Sequence, residues 1–171
     1  MRSKKALILL ISALSITLIS ACLGGKAQIN CPFTELTWDT TEEEMKDLEG
    51  EKFESYDSIY KGTTYTYPRT YLETEGIVKY MYDDKGKLCN VSWSYTGDDE
   101  TSLMNVYNAV VDDMTKLHGE SKNDDGVGNY CEMWITDNGT VMANAVITND
   151  TKVMQIAYMN EDVSKQGKGD Q

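Results

Sequence analysis

Histidine is all but missing from this chain: His118 is the only one in 171 residues. A serine or cysteine triad needs an imidazole beside a nucleophile and a third group to orient it, and no such pattern surrounds His118. It stands just before Gly119, in the last turn of a helical pattern, where an imidazole interacts favourably with the negative helix end. Gly-x-Ser-x-Gly, His-Glu-x-x-His, the phosphate loop and the dinucleotide fingerprint are absent too. Positive charge is also scarce, with 16 Lys and Arg against 28 Asp and Glu and a formal net charge of −12. Phosphate backbones would be repelled, which argues against nucleic acid as a partner, and no basic patch is offered to anionic lipid. Basic or cationic partners remain compatible, and so does plain solubility on a crowded surface. After residue 22 no apolar run reaches the ~20 residues of a helical membrane span.

What is present begins at the N-terminus. Arg2, Lys4 and Lys5 precede an apolar run from Ala6 to Ile19 that closes on Ile19-Ser20-Ala21-Cys22. A basic start, an apolar middle of ~15 residues and small residues at the end make a secretory signal, too short for a good span. Ile19-Ser20-Ala21-Cys22 resembles the lipobox of bacterial lipoproteins. The resemblance implies cleavage between Ala21 and Cys22, a diacylglycerol group on the Cys22 thiol, and a domain held on the extracytoplasmic face of the cell membrane. Two acyl chains bind firmly where one myristoyl chain is marginal, each buried methylene contributing about 0.8 kcal/mol. Loss of Arg2, Lys4 and Lys5 with the leader makes the remaining chain more acidic still.

Residues 1–21 thus read as a signal peptide, 22–32 as a lipidated tether, 33–160 as one domain and 161–171 as a flexible tail. Thr40 with Glu43 and Thr41 with Glu44 are overlapping capping boxes for a short helix that carries Met45 and Leu48 and stops at Gly50. Tyr56 to Tyr67 suits strands, with a bend at Gly62. Val78, Tyr80 and Tyr82, then Cys89, Val91, Trp93 and Tyr95, alternate with polar residues across an Asp83–Gly86 turn, a β-hairpin wet on one side. Leu103, Val106, Tyr107, Val110, Met114 and Leu117 form a helical stripe, started by Asp98 or Thr101 and ended by Gly119. Residues 130–136, 141–148 and 153–159 read as a three-stranded meander.

Met45-x-x-Leu48-x-Gly50-Glu51 is echoed by Met114-x-x-Leu117-x-Gly119-Glu120. The expected fold class is therefore α+β: an antiparallel sheet covered on one face by two helices, as a duplicated helix-plus-three-strands unit over 38–96 and 99–160. In element order, lipobox and glycine-terminated capped helix, the chain resembles the α+β lipoprotein modules similar to the outer-membrane assembly factor BamE and the β-lactamase inhibitory protein. It departs from them at the first helix, which starts on Trp38-Asp39-Thr40 and leaves on Gly50-Glu51-Lys52. No partner-contacting residue carries over. The resemblance implies a scaffold that binds proteins or envelope components and catalyses nothing.

Tyr65, Tyr67 and Tyr71, with Trp93, are the candidate binding face, because tyrosine joins apolar area to a polar tip; sheet packing is the other reading of the same residues. Cys89 and Cys131, both in strand-like segments, could form a disulfide, or Cys31, Cys89 and Cys131 could all remain thiols. Met133, Met142, Met154 and Met159 lack the His or Cys companions of a soft-metal site and read as core. Asn123-Asp124-Asp125-Gly126 lacks the ligand spacing of a calcium loop. No catalytic residue, metal or cofactor is expected beyond the lipid on Cys22. The favoured reading is a lipid-anchored, non-enzymatic module for an envelope protein or polymer, with a small hydrolase using acidic residues or a structural envelope component as alternatives.

Overall fold

The computed structural model describes residues 27–123 and 130–166. The leader, the Ala21–Cys22 cleavage point, the Cys22 attachment site and most of the Asn123–Gly126 motif lie outside them.

Helix α1, Glu42–Glu49, starts where Thr41 and Glu44 cap each other: the Glu44 N–H donates to Thr41 Oγ1 at 3.2 Å and the Thr41 N–H to Glu44 Oε2 at 2.9 Å. The overlapping Thr40–Glu43 box does not form, because Thr40 Oγ1 accepts the Thr37 N–H instead. Gly50, at φ 92, ends the helix in a region that L side chains avoid. Strands β1 (Glu54–Asp57), β2 (Lys61–Tyr71), β3 (Thr74–Asp83) and β4 (Leu88–Thr96) follow as a meander. Helix α2, Glu100–His118, is capped by Asp99, not by Asp98 or Thr101, through the Ser102 N–H at 2.8 Å. It leads into β5 (Lys122–Asn123), β6 (Cys131–Thr136), β7 (Gly139–Ile147), β8 (Lys152–Asn160) and α3 (Glu161–Gln166). No helix among the described residues is long and apolar enough to cross a membrane.

All eight strands join one antiparallel sheet in the order β1-β2-β3-β4-β8-β7-β6-β5. A helix is followed by four strands, not three, in each half, and the closing strands β4 and β8 pair at the centre. The bend expected at Gly62 lies earlier, at Ser58–Lys61, and β2 runs on to Tyr71.

Alternation and register together place Tyr65, Tyr67 and Tyr71 of β2, Val78, Tyr80 and Tyr82 of β3, Val91 and Trp93 of β4, Met154, Ile156 and Tyr158 of β8, Val141 and Ala143 of β7, and Trp134 of β6 on one face. All are buried, with Leu103, Tyr107, Val110 and Met114 of α2 and Met45 of α1. A strap from Ala27 to Trp38 completes this core. Gln28 pairs with Thr37, and Ile29, Cys31, Phe33, Leu36 and Trp38 are buried, so residues 28–32 belong to the fold and not to a tether. Apolar side chains recur along the strap, and their burial outweighs the cost of ordering it. The expected tail is also ordered at its start, where Asn160 Oδ1 caps α3 by accepting the Val163 N–H at 3.0 Å.

Candidate interaction face

The tyrosines singled out in the sequence are brought together, but inward. Tyr65, Tyr67, Tyr71 and Trp93 are 6%, 3%, 7% and 0% exposed, so they are no exposed binding face. Their aromatic area packs, and their polar tips reach the helices. The Tyr65 hydroxyl donates to Glu42 at 2.5 Å, Tyr80 to Glu49 at 2.5 Å and Tyr71 to Asp113 at 2.6 Å. Arg69 adds an ion pair to Glu49. Trp93 Nε1 donates to the Arg69 carbonyl at 2.8 Å across Gly76, whose missing side chain leaves room for the indole: a Cβ there would lie 2.5 Å from the ring. Burial pushes the Tyr67 hydroxyl up to about 12, and it has no hydrogen-bond partner among the described residues.

The cysteine pairing is also corrected. No disulfide joins Cys31, Cys89 or Cys131. β8 and β7 separate β4 from β6, and three steps of ~4.8 Å exceed the ~7 Å Cα limit of a disulfide. Burial raises the Cys31 and Cys89 thiols above their ordinary range, so neither is an activated nucleophile. Cys31 lines a cleft of about 440 Å³ with Phe33, Thr34, Glu49 and Arg69. Its carboxylate and guanidinium are bound to each other. His118 sits at the end of α2 with Nε2 3.0 Å from the Tyr158 hydroxyl, and burial lowers its pKa. Among the described residues no three His, Cys, Asp or Glu side chains gather to hold a metal ion.

The opposite sheet face carries the more informative pattern. Register aligns Thr64, Met81, Asn90, Met159, Thr140 and Ile135 in one row across β2, β3, β4, β8, β7 and β6. The next row runs Thr66, Lys79, Ser92, Ala157, Met142, Met133 and on to Lys122 of β5. A third reads Pro68, Ile77, Ser94, Gln155, Asn144 and Cys131. The second row starts on Glu54 of β1, which pairs with Thr66; from β2 to β6 the three rows hold Lys79 as their one charged side chain and no acid, although the chain holds 28. Met81, Met133, Met142 and Met159 are half-buried; Ile77 and Ile135 are 46% and 51% exposed. At the centre, Asn90 and Ser92 are 5% and 0% exposed, yet among the described residues Asn90 Oδ1 and Ser92 Oγ have no hydrogen-bond partner.

A wet sheet face ordinarily carries charge to stay solvated. Depletion of acids and enrichment in methionine are instead the composition of an interface centre. Met133, Met142 and Met159, read from the sequence as core, lie on this face; only Met154 of that set is core. Comparison with family models, curated proteins and solved structures returns no match to this chain.

Proposed function

We propose that the chain is a lipid-anchored extracytoplasmic lipoprotein, freed of residues 1–21 and carrying diacylglycerol on Cys22, whose domain is a non-enzymatic binding module for a protein of the cell envelope. We further read the domain as a duplicated helix-plus-strands unit with α1 and α2 on one sheet face, leaving the other for the partner. The observation that carries the binding assignment is the acid-free, methionine-rich centre of that open face, with Lys79 its one charge, in so acidic a chain. A largely apolar partner surface fits it. Glu42, Glu49 and Asp113 support binding over acid–base hydrolysis, since each carboxylate is held by a tyrosine hydroxyl.

Capture from native membranes with full-length protein, compared with Met142→Asp, tests this reading. Met142 is half-buried, so the melting temperature is read beside recovery, while a carboxylate placed at the centre of an interface costs affinity. Partner recovery should fall at least about tenfold, corresponding to about 1.4 kcal/mol, at an unchanged melting temperature. Equal recovery from both proteins would remove the open face as the binding surface.

A further inference from the structure

We infer that the β1–β2 turn, Ser58–Lys61, is a membrane-contacting finger that seats the tethered domain on the lipid bilayer, with Ile59 as the inserted side chain. The inference rests on the lipid anchor at Cys22 and adds an orientation to it.

The turn is built to hold its tip outward. The Lys61 N–H donates to the Ser58 carbonyl at 2.9 Å, the Ser58 N–H to the Gly62 carbonyl at 2.8 Å and the Tyr60 N–H to Ser58 Oγ at 3.1 Å, with Ser58 itself buried. Lys61 closes the loop at φ 73. Such tips ordinarily take Gly, Asn, Asp or Ser, which suit the backbone and the solvent. Here the two central residues are Ile59 and Tyr60. Ile59 is 82% exposed, the highest value among the exposed large hydrophobic residues described, and Tyr56 beside it is 51% exposed. A β-branched apolar side chain gains nothing at this position from turn geometry or from burial within the chain.

Its place in the fold names the surface it meets. Asn138, in the β6–β7 turn, donates to the Gln28 carbonyl at 3.2 Å, which fixes where the strap enters. Gly139 pairs with Asn160, Asn160 bonds Leu88, Leu88 pairs with Tyr82, and Asp83 pairs with Lys61. The strap's entry, α3, the β3–β4 turn and the Ile59 tip therefore share one end of the sheet, and the Leu72–Glu73 turn lies at the other. From Cys22 to Gln28 the chain can span only ~20 Å at full extension. A lipid on Cys22 thus turns the Ile59 end toward the headgroups.

The chemistry of that end suits a zwitterionic interface. Tyr56 is exposed and amphipathic, and the exposed Lys61 and Lys85 can extend their ammonium groups to the headgroups. Lys87 is paired with Asp162 and Lys165 with Glu161, leaving Asp57, Asp84 and Asp137 as exposed acids beside Lys61 and Lys85. Contact is therefore made by insertion and not by electrostatic adhesion.

The test uses the full-length chain produced in a lipoprotein-processing bacterium, recovered from membranes and reconstituted in phosphatidylcholine vesicles. Ile59→Trp and, at the far end, Leu72→Trp are compared for quenching by brominated acyl chains. The Ile59→Trp signal should fall about twofold, as for a side chain ~5 Å below the headgroup boundary, while Leu72→Trp stays unquenched and added salt changes neither. Co-flotation with vesicles without quenching of Ile59→Trp, equal quenching of both variants, or loss of quenching in salt overturns the finger and leaves the anchor standing. Failure of every variant to co-float overturns the anchor, and the orientation falls with it.

Discussion

The Tyr71 hydroxyl donates to Asp113 Oδ2 at 2.6 Å and so ties β2, in the first half of the chain, to α2 in the second. Tyr71 is 7% exposed and Asp113 half-buried, so the bond is sheltered from competing water. Burial and the neighbouring carboxylate hold the tyrosine protonated far above its ordinary range. Tyr71→Phe removes the donor and leaves a half-buried charge unpaired. It should cost about 1.5 kcal/mol in denaturant unfolding, and the cost should shrink in an Asp113→Asn background.

Tyr65 and Tyr67 are packing residues. Tyr65 meets Phe53 edge-on at 5.2 Å and Tyr82 at 6.1 Å, while Lys46 lies 4.5 Å above its ring. Replacing either tyrosine by alanine opens a cavity in the core. Each change should cost about 3 kcal/mol, seen as a lowered melting temperature, and any loss of partner capture should follow the loss of folded protein.

His118 gives the domain a pH dependence of definite sign. Burial lowers its pKa from the ordinary 6.5, so between the lowered value and 6.5 the unfolded chain binds a proton that the folded chain refuses. Stability contributed by the neutral imidazole is intact above 6.5 and declines as the pH drops toward the folded value. His118→Gln should show a smaller fall in melting temperature than the parent between about pH 7.5 and about pH 5.

The β2–β3 turn stores backbone strain. Leu72 and Glu73 sit at φ 47 and φ 61, two consecutive left-handed residues without a glycine. Both side chains are exposed, so the conformation is the only obstacle. Glu73→Gly should stabilise the domain by about 1 kcal/mol and raise its melting temperature by about 3 °C. An unchanged or lower midpoint would show the strain to be relaxed in solution.

That same turn shows why part of the fold was hard to read in advance. Hairpin turns announce themselves by Asn-Gly or Asp-Gly, and Leu72-Glu73 does neither, so the strand expected to end at Tyr67 runs on to Tyr71. Where local chemistry was ordinary, reading succeeded: Thr41 with Glu44, the stripe from Leu103 to Met114, and the alternation of Val78 to Tyr95 each specify their element. Tyrosine defeated the assignment of faces, because Tyr65 and Tyr71 satisfy a wet surface and a dry core equally well until Glu42 and Asp113 are known to lie above them. The open face was legible only as an omission. Asn90, Ser92 and Ser94 look like routine solvent-side residues, and the lack of acids emerges once Met81, Met142 and Met133 are set beside them by register.

The strand order has a temporal side. β4 is complete long before β8, its central neighbour, and the strands between them in sequence lie beyond β8 in space. A chain threaded N-terminus first must carry β4 with a bare hydrogen-bonding edge until the final strand arrives. The two halves cannot lock until the final strand is available. The same late closure allows two neighbouring copies to lend each other a final strand if they fold too close together.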